Sequence, residues 1–405
     1  MRKILWAIGA LGMIGLVLLV MNWGNIQRLL LVKDFLDPKQ VVYNFAHAGD
    51  AFHKRELKVS AAKQVWPEDL QPMVDELSIN DHSIKTVNFL EQTDAVALLV
   101  IKDGTIVYEN YYQGAERGEH RISWSVAKSF LSALIGAAID RGDIISVEDT
   151  MDKYAPSLKG TVYEGVAIRN VLNMSSGVRF NENYFDNNSD VVKMTNILAI
   201  NGSLDEFTTR YKDRDFEPGK YMRYVSIDTH ALGMVLKGAT GKTPSENFEE
   251  VLGSKLGFSD GIYYITDSDA NEYVLGGLNM TARDYALLGQ LFLQKGAWNG
   301  EQIISESWVA ESTANSAPPR LDGGQLGYGY QWWIPVPRPE PEFSNDYLAA
   351  GFYGQHVYVN PTHGTVIVKL STFKDASEVN EEGIPHGQIA MEFYRELSAH
   401  YAQME

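Results

Sequence analysis

The spacing of hydrophobic positions changes several times along the chain, and each change marks a different element. The first run, Ile4 to Trp23 (ILWAIGALGMIGLVLLVMNW), carries no charge and follows Arg2 and Lys3. About 20 apolar residues in a helix cross the hydrocarbon core of a bilayer. A cleaved leader has a shorter apolar core and then a small-x-small site. Met21-Asn22-Trp23 offers no such site, and Trp23 suits a membrane interface. The pattern predicts an uncleaved single-pass membrane anchor over residues 1–23. In residues 24–90 the pattern is broken, with Pro38, Pro67 and Pro72 spaced through them. They read as a connecting region that wraps the main domain or holds it off the membrane.

A compact pattern begins near Ala95 and continues to the end, so residues 91–405 form the main domain. AVALLVIK reads as a buried strand, Asp103-Gly104 as a tight turn and TIVYENYY as the returning strand. From Val126 to Ile139 the chain is apolar on nearly every side and free of proline, the mark of a buried helix, with Gly142 as its stop. Residues 146–320 read as mostly helical with long polar loops such as FNENYFDNNSD. TARDYALLGQLFLQKG is a helix capped by Thr281 and stopped by Gly296. Strands return in YGYQWWIPV, GFYGQHVYVN and TVIVKLSTF, with a turn at Asn360-Pro361, and residues 387–403 form an amphipathic closing helix. Strands at both ends with helices between predict an α+β fold: one antiparallel sheet built from distant segments, flanked by helices, plus a mostly helical lobe.

Composition narrows the function classes. The chain has 405 residues, 45% of them hydrophobic, enough for a large core. It has no cysteine, which removes disulfides, thiolate metal sites and a cysteine nucleophile. The nine histidines show no metal-binding spacing. Net charge is −17, and residues 1–33 carry four basic residues and no acid, so the body is more acidic still. An acidic body repels phosphate backbones, so no nucleic-acid partner is expected.

One short pattern carries chemistry. A serine hydroxyl needs a base beside it to act as a nucleophile, and positions i and i+3 of a helix share a face. Ser125-Val126-Ala127-Lys128 puts a hydroxyl beside an amine at the start of the buried helix, where free backbone N–H groups can stabilise an oxyanion. Burial would lower the lysine pKa towards neutrality. The S-x-x-K spacing also occurs at Ser60–Lys63 and Ser371–Lys374. The first lies in the connecting region; the second ends a strand, where i and i+3 point to opposite faces. Only Ser125 follows a hairpin and opens a buried helix.

SWSVAKSF, VLNMSSGVRF, YVSIDTHALG, GGLNMTARDYALLG, GYGYQWW and AAGFYGQHVYVNP occur in that order. Over about residues 90–405 the chain thereby resembles the serine β-lactamase and penicillin-binding superfamily. Its look is that of the class C relatives, family VIII carboxylesterases and 6-aminohexanoate-dimer hydrolase. The resemblance implies a β-lactamase-like fold and a serine hydrolase that needs no cofactor and no metal. It implies Ser125 as the acylated serine, Lys128 as its partner and Tyr224, in Tyr224-Val225-Ser226, as the proton-relaying tyrosine, with Ser226 a site-lining hydroxyl. Tyr108-Glu109-Asn110 also fits the tyrosine motif but precedes the serine and sits in a strand.

The basic third motif of the superfamily falls on Ala349-Ala350-Gly351, where only the glycine survives. The lost basic residue argues against substrates whose carboxylate it would hold, and so for an ester or non-lactam amide. A β-lactamase or D-alanyl peptidase, or a catalytically idle anchored binding protein, is the alternative. In this register the N–H groups of Ser125 and Phe352 form the oxyanion hole. Tyr184 matches a lobe-loop tyrosine of the 6-aminohexanoate-dimer hydrolase that contacts the amide being cut; otherwise it is a surface aromatic. His356, just past the oxyanion strand, reads as structural. Whether Lys128 or Tyr224 is the general base stays open. The anchor and signal-like layout place the protein in the inner membrane with its catalytic domain periplasmic or extracellular, acting on a small-molecule ester or amide.

Overall fold

A computed structural model describes residues 13, 16–17, 20, 23–59, 62–79, 82–199, 202–324, 326–336, 341–373 and 386–403. Most of the expected anchor, residues 1–23, therefore lies outside the described residues. Among those described, no helix is long and apolar enough to cross a membrane.

The main sheet has seven strands: β1 (Ala95–Lys102), β2 (Thr105–Tyr111), β3 (Gly327–Tyr328), β4 (Trp333–Ile334), β5 (Tyr347–Gly351), β6 (Gln355–Asn360) and β7 (Thr365–Ser371). Their order is β3-β4-β5-β6-β7-β1-β2, antiparallel at every step. The sheet thus joins the start of the main domain to its end, as the alternating strand and helix patterns predict. β1 has no polar face because both its faces are covered, which explains its unbroken apolar run.

Five helices bear on the sheet and the site: α1 (Trp23–Lys33), α2 (Ala127–Asp140), α3 (Ser226–Thr240), α4 (Ala282–Leu293) and α5 (His386–Ala402). α4 covers one face of the sheet, its Leu287, Leu288 and Leu291 sharing a core with Val357, Val359 and Val366. α5 covers the other, with Phe393, Tyr394 and Leu397 packed among Leu98, Val100 and Ile367. Thr281 and Asp284 close a reciprocal capping box at the start of α4, as the Thr281 signal suggests. Apolar on all sides, α2 runs through the middle of the larger core, with Lys128 to Ala138 buried.

Three expectations are corrected. YGYQWWIPV is not one strand but two short ones, β3 and β4, separated by a bend at Gln331, whose φ is 65°. GFYGQHVYVN is not one strand either. β5 ends at Gly351, a tight turn spans Phe352–Gly354, and β6 starts at Gln355. The turn needs positive φ at Tyr353 (60°) and Gly354 (79°), which ends the extended run. Ser125 sits in a single 3₁₀ turn, Trp124–Val126, immediately before α2 and not in its first α-helical turn.

A second, four-stranded sheet runs His53–Glu56, Tyr263–Thr266, Leu278–Met280, Arg121–Ile122. Its first strand comes from the connecting region, which packs into the main core through Phe35, Phe45, Phe52 and Leu57. Its last strand delivers the chain into Ser125, and the segment before Leu278 delivers Leu275, so this sheet holds two parts of the site.

Candidate active site

Ser125 enters its turn through a strained backbone. Trp124 has φ 43°, a region that a bulky residue adopts only under constraint. The constraint is an aromatic cage: Trp124 meets Phe45 edge-on at 5.6 Å and Phe35 at 6.3 Å and stacks on Tyr353 at 6.4 Å. The cage turns the half-buried Ser125 hydroxyl towards the lysine one helical turn on.

Lys128 Nζ lies 2.9 Å from Ser125 Oγ and 2.8 Å from the carbonyl oxygen of Leu275. Only 2% of Lys128 is exposed. Burial pushes its amine down to about 7, while the nearby charge of Glu182 pulls the other way. Near neutral pH a substantial fraction is therefore the free amine, which can donate to the Leu275 carbonyl while accepting the serine proton.

Tyr224 completes the cluster. Its ring stacks on Trp333 at 5.3 Å, and Lys128 Nζ sits 5.3 Å from the ring centroid. Burial and the Glu182 charge push its phenol well above the usual range, against the effect of its hydrogen bond with Ser125. The phenol stays protonated and is a proton donor.

Ser226, two residues further on, opens α3. Its N–H donates to Glu182 Oε2 at 2.8 Å and its hydroxyl to Glu182 Oε1 at 2.5 Å. Tyr184 donates to the same Oε1 at 2.5 Å and stacks on Phe352 at 4.6 Å. Glu182 thus ties the lobe loop to the start of α3 and sets the field felt by Lys128. Burial raises its own pKa, opposed first by the Lys128 charge. Nothing in the sequence singled out Glu182. An acid two residues before Tyr184 in a polar loop looks like any solvated side chain; only the fold turns it inward.

The Gly351 end of β5 lies against Ser125. A Cβ on Gly351 would fall 2.4 Å from the carbonyl oxygen of Ser123 and 3.0 Å from the Ser125 nitrogen, so no other residue fits there without displacement. The residue after it, Phe352, lines the same cavity as Ser125, Tyr184 and Ser226. Ser125, Lys128, Tyr224, Ser226, Tyr184, Gly351 and Phe352, distant from one another along the chain, are thereby brought together.

The rival residues lie elsewhere. His356 faces α5, its Nδ1 2.7 Å from the Tyr394 hydroxyl, and burial next to Lys369 pushes it down to about 3. Ser371 accepts a short hydrogen bond from Lys369, and Tyr108 pairs with Tyr112 at 2.9 Å. Ser60 and Lys374 lie outside the described residues. Among the described residues no group of three or more His, Asp or Glu converges as a metal ion would require.

The profile of the Beta-lactamase family matches residues 85–387, three quarters of the chain. The chain belongs to the Beta-lactamase family. It is a serine hydrolase of that family. The 6-aminohexanoate-dimer hydrolase of Paenarthrobacter ureafaciens is 28% identical over 324 residues, 76% of this chain and 80% of that protein. A Bacillus anthracis protein carrying the 6-aminohexanoate-dimer hydrolase assignment superposes with a TM-score of 0.78 at 24% identity, covering 91% of this chain and 95% of that one. A family VIII carboxylesterase shares the fold with a TM-score of 0.59 at 16% identity, over 76% and 94% of the two chains.

Proposed function

We propose that this Beta-lactamase-family protein cleaves an ester or non-lactam amide through a covalent acyl-enzyme. The observation that carries the reading is the buried Lys128 amine, 2.9 Å from the Ser125 hydroxyl and held near a pKa of about 7. Ser125 Oγ attacks the carbonyl carbon as its proton moves to Lys128 Nζ. The negative charge that develops on the carbonyl oxygen is taken by the N–H groups of Ser125 and Phe352. Tyr224 gives its proton to the leaving alcohol or amine and is reprotonated from Lys128. Water then attacks the acyl group with the same groups reversed, and Ser125 is restored. Lys128 is the base in this scheme because its neutral form is accessible near pH 7, whereas the Tyr224 phenolate is not. Tyr184 and Ser226, both bound to Glu182, line the substrate's path.

Ala349 and Ala350 support the choice of substrate class. They stand where a basic residue would hold a β-lactam or stem-peptide carboxylate. The uncharged run Ile4–Trp23 supports a single-pass inner-membrane tether with the catalytic domain outside the cytoplasm.

A panel of p-nitrophenyl esters, linear amides and a chromogenic cephalosporin tests the reading. Ester or amide turnover that is abolished in Ser125→Ala supports it. Cephalosporin turnover well above that of every ester would overturn the substrate class.

A further inference from the structure

The cavity above Ser125 has a volume of about 790 Å³, in the upper part of the range for small-molecule sites. Part of its wall comes from the amino-terminal segment. Leu29, Val32 and Leu36 line it, as do Val192 and Ala199 of the helical lobe. Among the described residues lining it, Lys33 is the only charged one. Lys33 sits on α1, not on the strand where the superfamily keeps its basic residue.

α1 is apolar beyond the cavity as well. Leu30 is 58% and Leu31 49% exposed, and the described residues before it, Met13, Leu16, Val17 and Val20, are more than half exposed. Ordinary soluble surfaces scatter such residues singly and do not string them along one segment. The same segment therefore leads from the bilayer-length run Ile4–Trp23 to the wall of the pocket.

Resting on the acyl-enzyme reading, we propose that the substrate is an amphiphile: an ester or amide bearing a long aliphatic chain. The chain lies between α1 and the lobe segment at Val192–Ala199, and it is drawn from the bilayer that holds the tether. The carbonyl reaches Ser125, the chain contacts Leu29, Val32 and Leu36, and Lys33 at the rim suits an anionic headgroup or carboxylate at the water boundary.

The test uses the full chain in vesicles of phosphatidylcholine with phosphatidylglycerol. It measures kcat/KM for p-nitrophenyl esters from acetate to decanoate, each below its critical micelle concentration. Burial of a methylene is worth roughly a three- to fourfold gain, so kcat/KM should climb steeply with chain length. Leu29→Gln combined with Leu36→Gln, both at exposed positions that tolerate the change, should cut the decanoate-to-acetate ratio at least about tenfold. Brisk acetate hydrolysis with a flat or falling chain-length series, or a ratio untouched by the double substitution, would overturn the amphiphile proposal and leave the hydrolase reading standing. Failure to hydrolyse any ester in the series, together with failure on the matching N-acyl p-nitroanilides from acetyl to decanoyl, would instead strike the hydrolase reading itself.

Discussion

At the scale of single residues, the site turns on a charge balance between two buried groups. Burial favours neutral Lys128, and the carboxylate of Glu182 favours the ammonium. Only the neutral amine accepts the serine proton. The kcat/KM profile should therefore rise with pH through about 7 and level off above it. In Glu182→Gln the opposing charge is gone, the lysine pKa falls further, and the acid limb moves to lower pH. A profile that is flat between about pH 5 and 9, or a limb that moves upward in the variant, would show that Lys128 does not set the limb. The lysine and the tyrosine were legible in the sequence because i, i+3 geometry and an ordered set of motifs converge on them. Glu182 was not. Its role depends on a loop folding back onto the first turn of α3, and loop paths leave no periodic signal.

At the scale of elements, the apolar and alternating runs located β1, β2, β7, α2 and α4, whereas breaks inside apolar runs stayed hidden. The β3–β4 break holds Tyr330 and Trp332 on either side of Gln331, and the β5–β6 break is Phe352-Tyr353-Gly354, so both keep large aromatic residues and hydrophobicity does not register the turn. The turns are enforced by positive φ at Gln331, Tyr353 and Gly354, and only the last is a residue that advertises it. The β5–β6 bend matters because it ends the strand at Gly351 and sets Phe352 on the cavity. Close packing of elements makes a separate demand. α4 approaches the sheet at Gly289, where a Cβ would fall 2.5 Å from Val366 Cγ1 and 3.0 Å from Val357 Cγ1. Gly289→Ala should lower stability by about 1–3 kcal/mol through overpacking, exceeding the gain of about 1 kcal/mol in helix propensity. Denaturant titration of the two proteins measures this. Equal or higher stability would mean that α4 can retreat from the sheet without loss.

At the scale of the whole molecule, the amino-terminal region packs into the hydrolase core. Phe35, 4% exposed, packs against Phe45, Phe52 and Trp124, and through Trp124 it supports the turn that carries Ser125. Phe35→Ala should cost about 3–5 kcal/mol of stability, as for other large buried aromatics. It should also slow acylation more than it weakens substrate binding, because the strained Trp124 backbone loses its support. Unchanged kcat in a destabilised protein would confine Phe35 to packing. This dependence was hidden in the sequence: the proline-broken pattern of residues 24–90 marks irregular structure but does not say what that structure rests against. The net charge of −17 disfavours a polyanionic partner on electrostatic grounds alone; the shape of a small-molecule site comes from the cavity.

The central claim is that Ser125 is acylated with Lys128 as its base, and the most direct measurement is the site and rate of covalent modification by a fluorophosphonate, read by peptide mass spectrometry. The account predicts one adduct, on the peptide bearing Ser125, absent in Ser125→Ala and formed at least about a hundredfold more slowly in Lys128→Met. An adduct on another serine, or undiminished labelling of Lys128→Met, would contradict it.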